Sequence, residues 1–364
     1  MTLKQVSVLA LTAESFGGRG GIAQSTRDLL LAMSEMPQIG RIDVLPRLQP
    51  EPVGDLPVGI YQLPPIMPRI VYTVCALWLA VIKRPKVVYC GHAFMAPTAW
   101  LTAWVAGASL ITHVHGLEVW EPMSWVKRRT LAFSNVVLCV SKYTLDKVVE
   151  VTKVDSNRCS LTFNTVNERF FPGDRSAARQ KLSIKNDAVV ISTVSRLDPS
   201  QRHKGHERVI RLLRKLAMHH PNIIYLVVGT GKDRGRLEAL AISEGVAEMV
   251  HFCGFVSDED LPDVYRASDL YVMPSHGEGF GIAFLEAMAC GTPALGLDVG
   301  GAGDALRNGD LGHAVTEADF PDALHELLLR PSGDPYVLSN GTRALFGKSE
   351  LSSRLTKAIS GLLV

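Results

Sequence analysis

Short apolar runs recur along this chain, separated by longer segments with helical spacing, and that alternation restricts the possible folds more than any other feature. VSVLAL (6–11), RIDVLP (41–46), KVVYCG (86–91), SLITHV (109–114) and NVVLCVS (135–141) each read as a strand, and LTFN (161–164) ends the series. After the polar stretch NERFFPGDRSAARQKL (167–182) the pattern restarts with AVVISTVSRL (188–197), IIYLVVGTG (223–231), VHFCGFV (250–256), LYVMPS (270–275) and PALGLD (293–298). Unbroken apolar runs suit strands covered on both faces, as in parallel sheets with helices on either side. The pattern βαβα, written twice, predicts α/β architecture with two doubly wound domains. Ligands of such sheets bind at the carboxyl ends of the strands. Two such sheets facing each other place a site in the cleft between them. The expected divisions are a first domain over 1–168, a linker over 169–187, a second domain over 188–345, and a helix over 346–364 that returns to the first domain.

Composition narrows the setting. The six cysteines (75, 90, 139, 159, 253, 290) are scattered and form no C-x-x-C pair, which argues against a zinc site or disulfide scaffold and suits a reducing compartment. No signal peptide is read at the start, so a cytoplasmic protein is expected. Residues 1–175 hold 18 Lys/Arg against 13 Asp/Glu, and residues 176–364 hold 20 against 23, so the halves carry +5 and −3. All five tryptophans (78, 100, 104, 120, 125) lie in the basic half. That pairing suits peripheral contact with an anionic membrane, and no nucleic-acid partner is expected. WEPMSWVKRR (120–129) is the expected contact, with Trp120 and Trp125 beside Lys127, Arg128 and Arg129; tryptophans buried in a core are the alternative. FMAPTAWLTAWVAGASLIT (94–112) is uncharged and nearly long enough to span a bilayer. Pro97 and Gly107 divide it into a helix (96–106), a turn and a strand (109–114). The apolar run at 70–82 is too short to span.

The segment GEGFGIAFLEAMACGTP (277–293) carries the most chemistry. YVMPS before it reads as a strand, so the order is strand, glycine-rich loop, helix. A helix entered this way presents free N–H groups and its positive dipole end to a phosphate. Glu278 in the loop and Glu286 a turn into the helix, eight positions apart, can accept hydrogen bonds from sugar hydroxyls. Phosphate donors flanked by hydroxyl acceptors describe a nucleotide-sugar site. Arg196 and Lys204, also eight apart, follow the strand at 188–195 and can neutralise a departing diphosphate. Arg202 and His203 lie close by. Gly229-Thr230-Gly231 ends the next strand, where glycine lets a ligand approach the backbone. Gly20-Gly21, after the first strand, permits a similar approach. His115, in HGLE (115–118), stands at another strand's carboxyl end.

This set resembles the E-x7-E signature of retaining glycosyltransferases of the GT-B type, specifically the large family 4, at matching order and spacing over most of the chain. The resemblance implies two Rossmann-like domains and transfer of a hexose from a UDP- or GDP-linked sugar to a hydroxyl acceptor with retention. The basic, Trp-bearing first half suits a lipid-linked saccharide as that acceptor, with surface-polysaccharide assembly as the setting. It implies that Arg196, Lys204 and the amides near Gly279, Phe280 and Gly281 hold the diphosphate. It also implies that Glu278 orients the sugar and Glu286 the ribose, and that His115 reaches the donor sugar. Gly229, Gly231 and Gly20-Gly21 then line the donor site, and FCGFV (252–256), through Val256, borders the nucleobase. Ser141 and Asn164 match family positions. The chain departs from the pattern at Asn164-Thr165-Val166-Asn167, where Asn-Gly-Val-Asp is common, and at Asp304, where a Glu is more usual. No metal and no cofactor are expected, the nucleotide-sugar being a substrate; Asp258-Glu259-Asp260 reads as a helix start rather than a metal loop.

Other readings are weaker. Gly18, Gly20, Ala23 and Asp43 mimic a dinucleotide fingerprint, but six residues separate Leu11 from Gly18 where a tight turn is needed. GTRALFGKS (341–349) is one residue too long for a phosphate loop and follows no strand. His113 and His115 lack a third metal ligand. A sugar-phosphate synthase of the same fold would need an extra basic cluster in the first half. A phosphorylase would need a cofactor lysine and a longer chain. A non-catalytic sugar-binding protein would be expected to have lost part of the Arg196, Lys204, Glu278 and Glu286 set.

Overall fold

The apolar runs become parallel strands in a computed structural model that describes residues 5–330 and 333–363. Two units emerge, one taking the chain as far as Thr165 together with the segment from Lys348, the other spanning Val166–Gly347. The first holds β1 (Val6–Thr12), β2 (Ile39–Pro46), β3 (Ile60–Gln62), β4 (Val87–Cys90), β5 (Ser109–Val114), β6 (Val136–Cys139) and β7 (Cys159–Leu161), in the order β3-β2-β1-β4-β5-β6-β7. The second holds β8 (Val189–Val194), β9 (Ile223–Val228), β10 (Val250–Gly254), β11 (Leu270–Met273), β12 (Ala294–Leu297) and β13 (His313–Val315), in the order β10-β9-β8-β11-β12-β13. In each sheet the strand order reverses once, beside the unit's first strand. The switch points lie between β1 and β4 and between β8 and β11, and such points open a crevice at the carboxyl ends.

Burial on both sheet faces explains the unbroken apolar runs. On one face of the first sheet, Leu29, Leu30 and Met33 of the helix Gly21–Ser34 pack with Leu351, Leu355 and Ile359 of the helix Lys348–Ile359. On the other face, Ala76 and Leu79 of the helix Arg69–Lys83 meet Ala99 and Ala103 of the helix Ala96–Ala106. In the second sheet, Val209, Ile210 and Leu213 of the helix His206–Ala217 cover Tyr225 and Val227. Each large aliphatic side chain so buried contributes about 1.5–3 kcal/mol.

Helix 96–106 ends on Gly107 in the left-handed region (φ 63°), and β5 follows, which is the division expected of the 94–112 run. The apolar run at 70–82 forms the helix Arg69–Lys83. Three details differ from expectation. The short strands β3 and β13, three residues each, carry too little alternation to be read. The strand expected at LTFN lies at Cys159–Leu161 instead; Thr162 still donates its amide to the Cys139 carbonyl of β6 at 2.9 Å, and the strand pairing goes no further. The polar stretch at 169–187 is not open chain: it contains the helix Arg175–Lys181. Its buried Arg179 donates to Asp269 at 2.9 Å and to the carbonyls of Ala267 (3.0 Å) and Asn186 (2.6 Å). One guanidinium satisfied on several acceptors makes a polar segment part of the second unit. Among the described residues, no helix is long and apolar enough to cross a membrane.

Candidate functional site

The crevice between β8 and β11 gathers the charged residues singled out in the second half. From β8 the chain leaves through Ser195 and Arg196 into a 3-10 turn, Pro199–Lys204, which Asp198 caps by accepting from the Ser200 amide at 3.0 Å. Gly205 then bends the chain in the left-handed region (φ 82°), and a Cβ there would strike the Pro274 carbonyl. That contact seats the turn against the exit of β11, where Lys204 Nζ lies 2.6 Å from Glu278 Oε2. The two side chains are 16% and 10% exposed, so the pair is largely desolvated. Glu278 is also held through its backbone, its carbonyl accepting from the Gly301 amide at 2.7 Å.

The loop after β11 is anchored by Phe280, which is buried and meets Phe346 edge-on at 5.6 Å. Gly281 caps the helix Ile282–Ala289 (φ 98°), where a Cβ would collide with the Phe284 ring and stand 3.3 Å from Glu278 Cγ. No side chain caps this helix, and no acid lies in its first turn, so its positive end stays unneutralised from within. Glu286, one turn on, accepts from Tyr265 Oη at 2.7 Å. Burial raises its pKa to about 7, against the hydrogen bond from Tyr265, which lowers it.

Neighbouring strands close the crevice. Gly229 (φ 132°) and Gly231 (φ 156°) follow β9, and a Cβ on either would run into the carbonyl of Ser195 or Leu197. Gly229 donates to the Gly254 carbonyl at 2.8 Å, and Val256, half-buried, follows β10. Arg196 is exposed and makes no side-chain hydrogen bond or ion pair among the described residues. Arg202, by contrast, is committed to Asp233 at 2.7 Å, a carboxylate that also holds Arg236. His203 keeps a buried Nε2 with no partner, and burial lowers its pKa. His206 meets Ser195 Oγ at 3.1 Å, and burial lowers its pKa to about 4.

The switch point of the first unit gathers imidazoles. His115 is buried after β5, its Nε2 2.9 Å from the Gly91 carbonyl and its amide 2.6 Å from Glu118 Oε1. Only Nδ1 is left to meet a ligand. His113 lies 4.1 Å from it ring to ring and takes Tyr89 Oη on Nδ1 at 3.0 Å. His92, which the sequence reading passed over, follows β4 at the switch itself, 5.6 Å from His115. Its Nδ1 accepts from the Phe94 amide at 3.3 Å. Burial lowers all three pKa values, that of His92 to about 4, so near neutral pH they offer hydrogen bonds rather than charge. The carboxyl-end rule that selected His115 selects His92 equally well. Gly20 (φ 82°) precedes the helix that begins at Gly21, and a Cβ on Gly20 would meet nothing within 4 Å, so the approach there is open.

Several expected features have other partners. Asn164 Oδ1 accepts from Ser25 Oγ at 2.6 Å and Thr165 donates to Asp28 at 2.6 Å, tying the exit of β7 to the helix Gly21–Ser34. Ser141 caps the helix Lys142–Thr152 by accepting from the Thr144 amide at 3.1 Å. Trp120 is half-buried against Tyr143 (5.0 Å, edge-on), whereas Trp125, Arg128 and Arg129 are exposed and Lys127 is half-buried. Asp43 pairs with Arg41 at 2.8 Å, and Gly341 lies inside the helix Pro335–Phe346, so neither decoy forms its motif.

Comparison with known proteins agrees with this architecture. Residues 174–337 match the family described as glycosyl transferases group 1, and residues 19–170 match glycosyltransferase family 4. Curated relatives include the D-inositol 3-phosphate glycosyltransferases of Geodermatophilus obscurus and Rhodococcus jostii. The first is 37% identical over 188 residues, covering 48% of this chain and 40% of the relative. The second is 36% identical over 217 residues, covering 56% and 47%. The chain thus spans about half the length of the curated relatives it matches. Among solved structures, Anabaena HepE in complex with UDP aligns with a TM-score of 0.76 at 19% identity, over 98% of this chain and all of that one. Sucrose-phosphate synthase from Thermosynechococcus elongatus aligns at 0.74 and 21%, over 98% and 99%. Two parallel-sheet Rossmann-like units, each with its own switch-point crevice, define a GT-B protein. Both halves match models of the same kind, and the chain belongs to glycosyltransferase family 4.

Proposed function

We propose that the chain moves a hexose from a UDP- or GDP-linked donor to a hydroxyl acceptor, with retention at the anomeric carbon and without a metal ion. The observation that carries this reading is the desolvated Lys204–Glu278 pair at the β8/β11 crevice, which sets a cation beside a hydroxyl acceptor at the entry to a helix. In this reading Arg196, Lys204 and the amides at Gly279–Gly281 take up the negative charge that grows on the diphosphate as the bond from C1 to the phosphate oxygen breaks. Glu278 orients the sugar and Glu286 the ribose, Gly229 and Gly231 admit the diphosphate to the backbone, and Val256 borders the base. The acceptor oxygen bonds to C1 on the same face, and the leaving phosphate takes its proton. His115 supplies a neutral hydrogen-bonding group to the sugar, and Gly20-Gly21 border the acceptor side.

A lipid-linked saccharide is the acceptor that the basic, Trp-bearing first half favours. The first unit then contacts an anionic membrane at its cytoplasmic face. A soluble phosphorylated acceptor is the alternative, and the name of the curated relatives, which specifies an inositol phosphate, favours it.

Thermal melting with UDP-, GDP-, ADP- and TDP-sugars, without metal, tests the donor site. A ligand of the folded state raises the midpoint. The expected result is a shift with one nucleotide family that Glu286→Ala removes. A shift with NAD(H) alone, or none with any nucleotide sugar, overturns the reading.

A further inference from the structure

The helix Arg69–Lys83 is apolar on both faces. Inward it buries Tyr72, Ala76, Leu79 and Ala80, with Tyr72 Oη donating to the Leu45 carbonyl at 2.7 Å. Outward it shows Ile70, Val71, Val74, Trp78, Val81 and Ile82, a stripe at helical spacing in which Ile70 is 80% exposed and Val74 and Trp78 60% each. The adjoining helix Ala96–Ala106 extends the stripe with Trp104, 71% exposed. Val81 and Arg84 share a shallow groove with its Val105 and Ala106. A helix covered by water carries polar residues on its outer face. Contiguous exposed apolar area of this kind marks an interaction surface.

The charge around the stripe selects the occupant. Between Asp55 and Glu118 the sequence has no acidic residue, and its cations there are Arg69, Lys83, Arg84 and Lys86. Lys83 Nζ leans toward the buried Asp43 at 3.8 Å, a carboxylate already paired with Arg41. Arg69, Arg84 and Lys86 make no ion pair among the described residues. A second copy of the chain would bring like charge to like at this rim, which opposes association. An anionic bilayer meets both features, taking aliphatic and indole groups into its interface and cations at its headgroups.

We propose that the outward face of the helix Arg69–Lys83, with Trp104, is the surface by which the chain lies on an anionic membrane. The contact centres on this stripe rather than on Trp125–Arg129, whose helix also packs against Ala96–Ala106. The inference rests on the membrane part of the reading above and not on the donor chemistry.

The test is co-sedimentation of the full chain with phosphatidylcholine vesicles and with vesicles of equimolar phosphatidylcholine and phosphatidylglycerol. Binding is expected only to the anionic vesicles, with release at high salt. Val74→Glu combined with Trp78→Glu is expected to lower the bound fraction about tenfold or more. The melting temperature and the nucleotide-sugar shift of that variant should stay unchanged. The proposal is overturned if the wild-type chain ignores anionic vesicles. It is equally overturned if the double variant binds them as well as the wild type while a Trp125→Ser, Arg128→Ser variant does not, which moves the contact to the neighbouring helix. Self-association that the double variant abolishes, without vesicle binding, also overturns it in favour of a second copy. Loss of the nucleotide shift with intact vesicle binding sinks the donor reading alone.

Discussion

Lys204 Nζ stands 2.6 Å from Glu278 Oε2, joining the turn after β8 to the loop after β11 across the second unit's switch point. Both groups are mostly shielded from water, and each lies against the other as its counter-charge. Removing one partner of such a pair leaves an uncompensated charge. Lys204→Ala is therefore expected to cost about 2–4 kcal/mol in urea unfolding. Lys204→Met combined with Glu278→Gln is expected to recover most of that cost. Equal losses in the single and double variants would show that the pair is not coupled.

Arg196 should behave in the opposite way. It is exposed and unpaired among the described residues, so nothing in the fold depends on it. Arg196→Ala should change stability by no more than about 0.5 kcal/mol. If the cation meets the diphosphate, calorimetric affinity for the nucleotide sugar should drop by about 1.5–3 kcal/mol. A variant that melts early but binds normally contradicts both halves of this prediction.

Backbone geometry at Gly229 gives a third test. At φ 132° a Cβ is disfavoured, and here it would enter the Ser195 carbonyl. Gly229→Ala is expected to destabilise the second unit by at least about 2 kcal/mol. Gly20→Ala, where the Cβ meets open space, carries only the backbone penalty of about 1–3 kcal/mol. Chemical denaturation of the two variants side by side separates crowding from backbone strain.

His206 makes the second unit sensitive to acid. Its pKa falls from 6.5 to about 4 on burial, so between those values the unfolded chain binds a proton that the folded one refuses. Stability from this group is complete above 6.5 and is lost as pH falls toward 4. The full loss is about 3–3.5 kcal/mol. Unfolding free energy measured across this window should decline less steeply in His206→Gln than in the wild type.

Glu286 carries the opposite sign. Its pKa rises from 4.5 to about 7, so the folded state binds the extra proton and stability from this group falls as pH rises through that window. Glu286→Gln should remove that slope. A ribose held by the ionised carboxylate should bind more tightly one unit above about 7 than one unit below it, and the glutamine variant should lose that difference. Isothermal titration at the two pH values decides.

Much of the fold was legible because burial on both faces leaves an unbroken apolar run, and each principal strand has one. The division of 94–112 into helix, Gly107 and β5 could be read for a related reason: proline and glycine act locally, through their own backbone torsions. The misplaced features depend on distant partners. Arg179 looked like linker until Asp269 and two carbonyls closed around it. His92 looked ordinary until the β1/β4 reversal put it beside His115.

The sequence by itself determined the doubly wound class, the positions of most strands, and the loop-and-helix segment bearing Glu278, Gly281 and Glu286. Those follow from local periodicity, from glycine's torsional freedom and from the rule that carboxyl ends hold ligands. Only the tertiary structure decided that Lys204 is already held by Glu278, that Arg202 belongs to Asp233, that Tyr265 holds Glu286, and that the stripe from Ile70 to Ile82 faces outward. Sequence spacing states which residues share an element. Which charges pair, and which apolar face is left uncovered, depends on strand order and on neighbours far away in the chain.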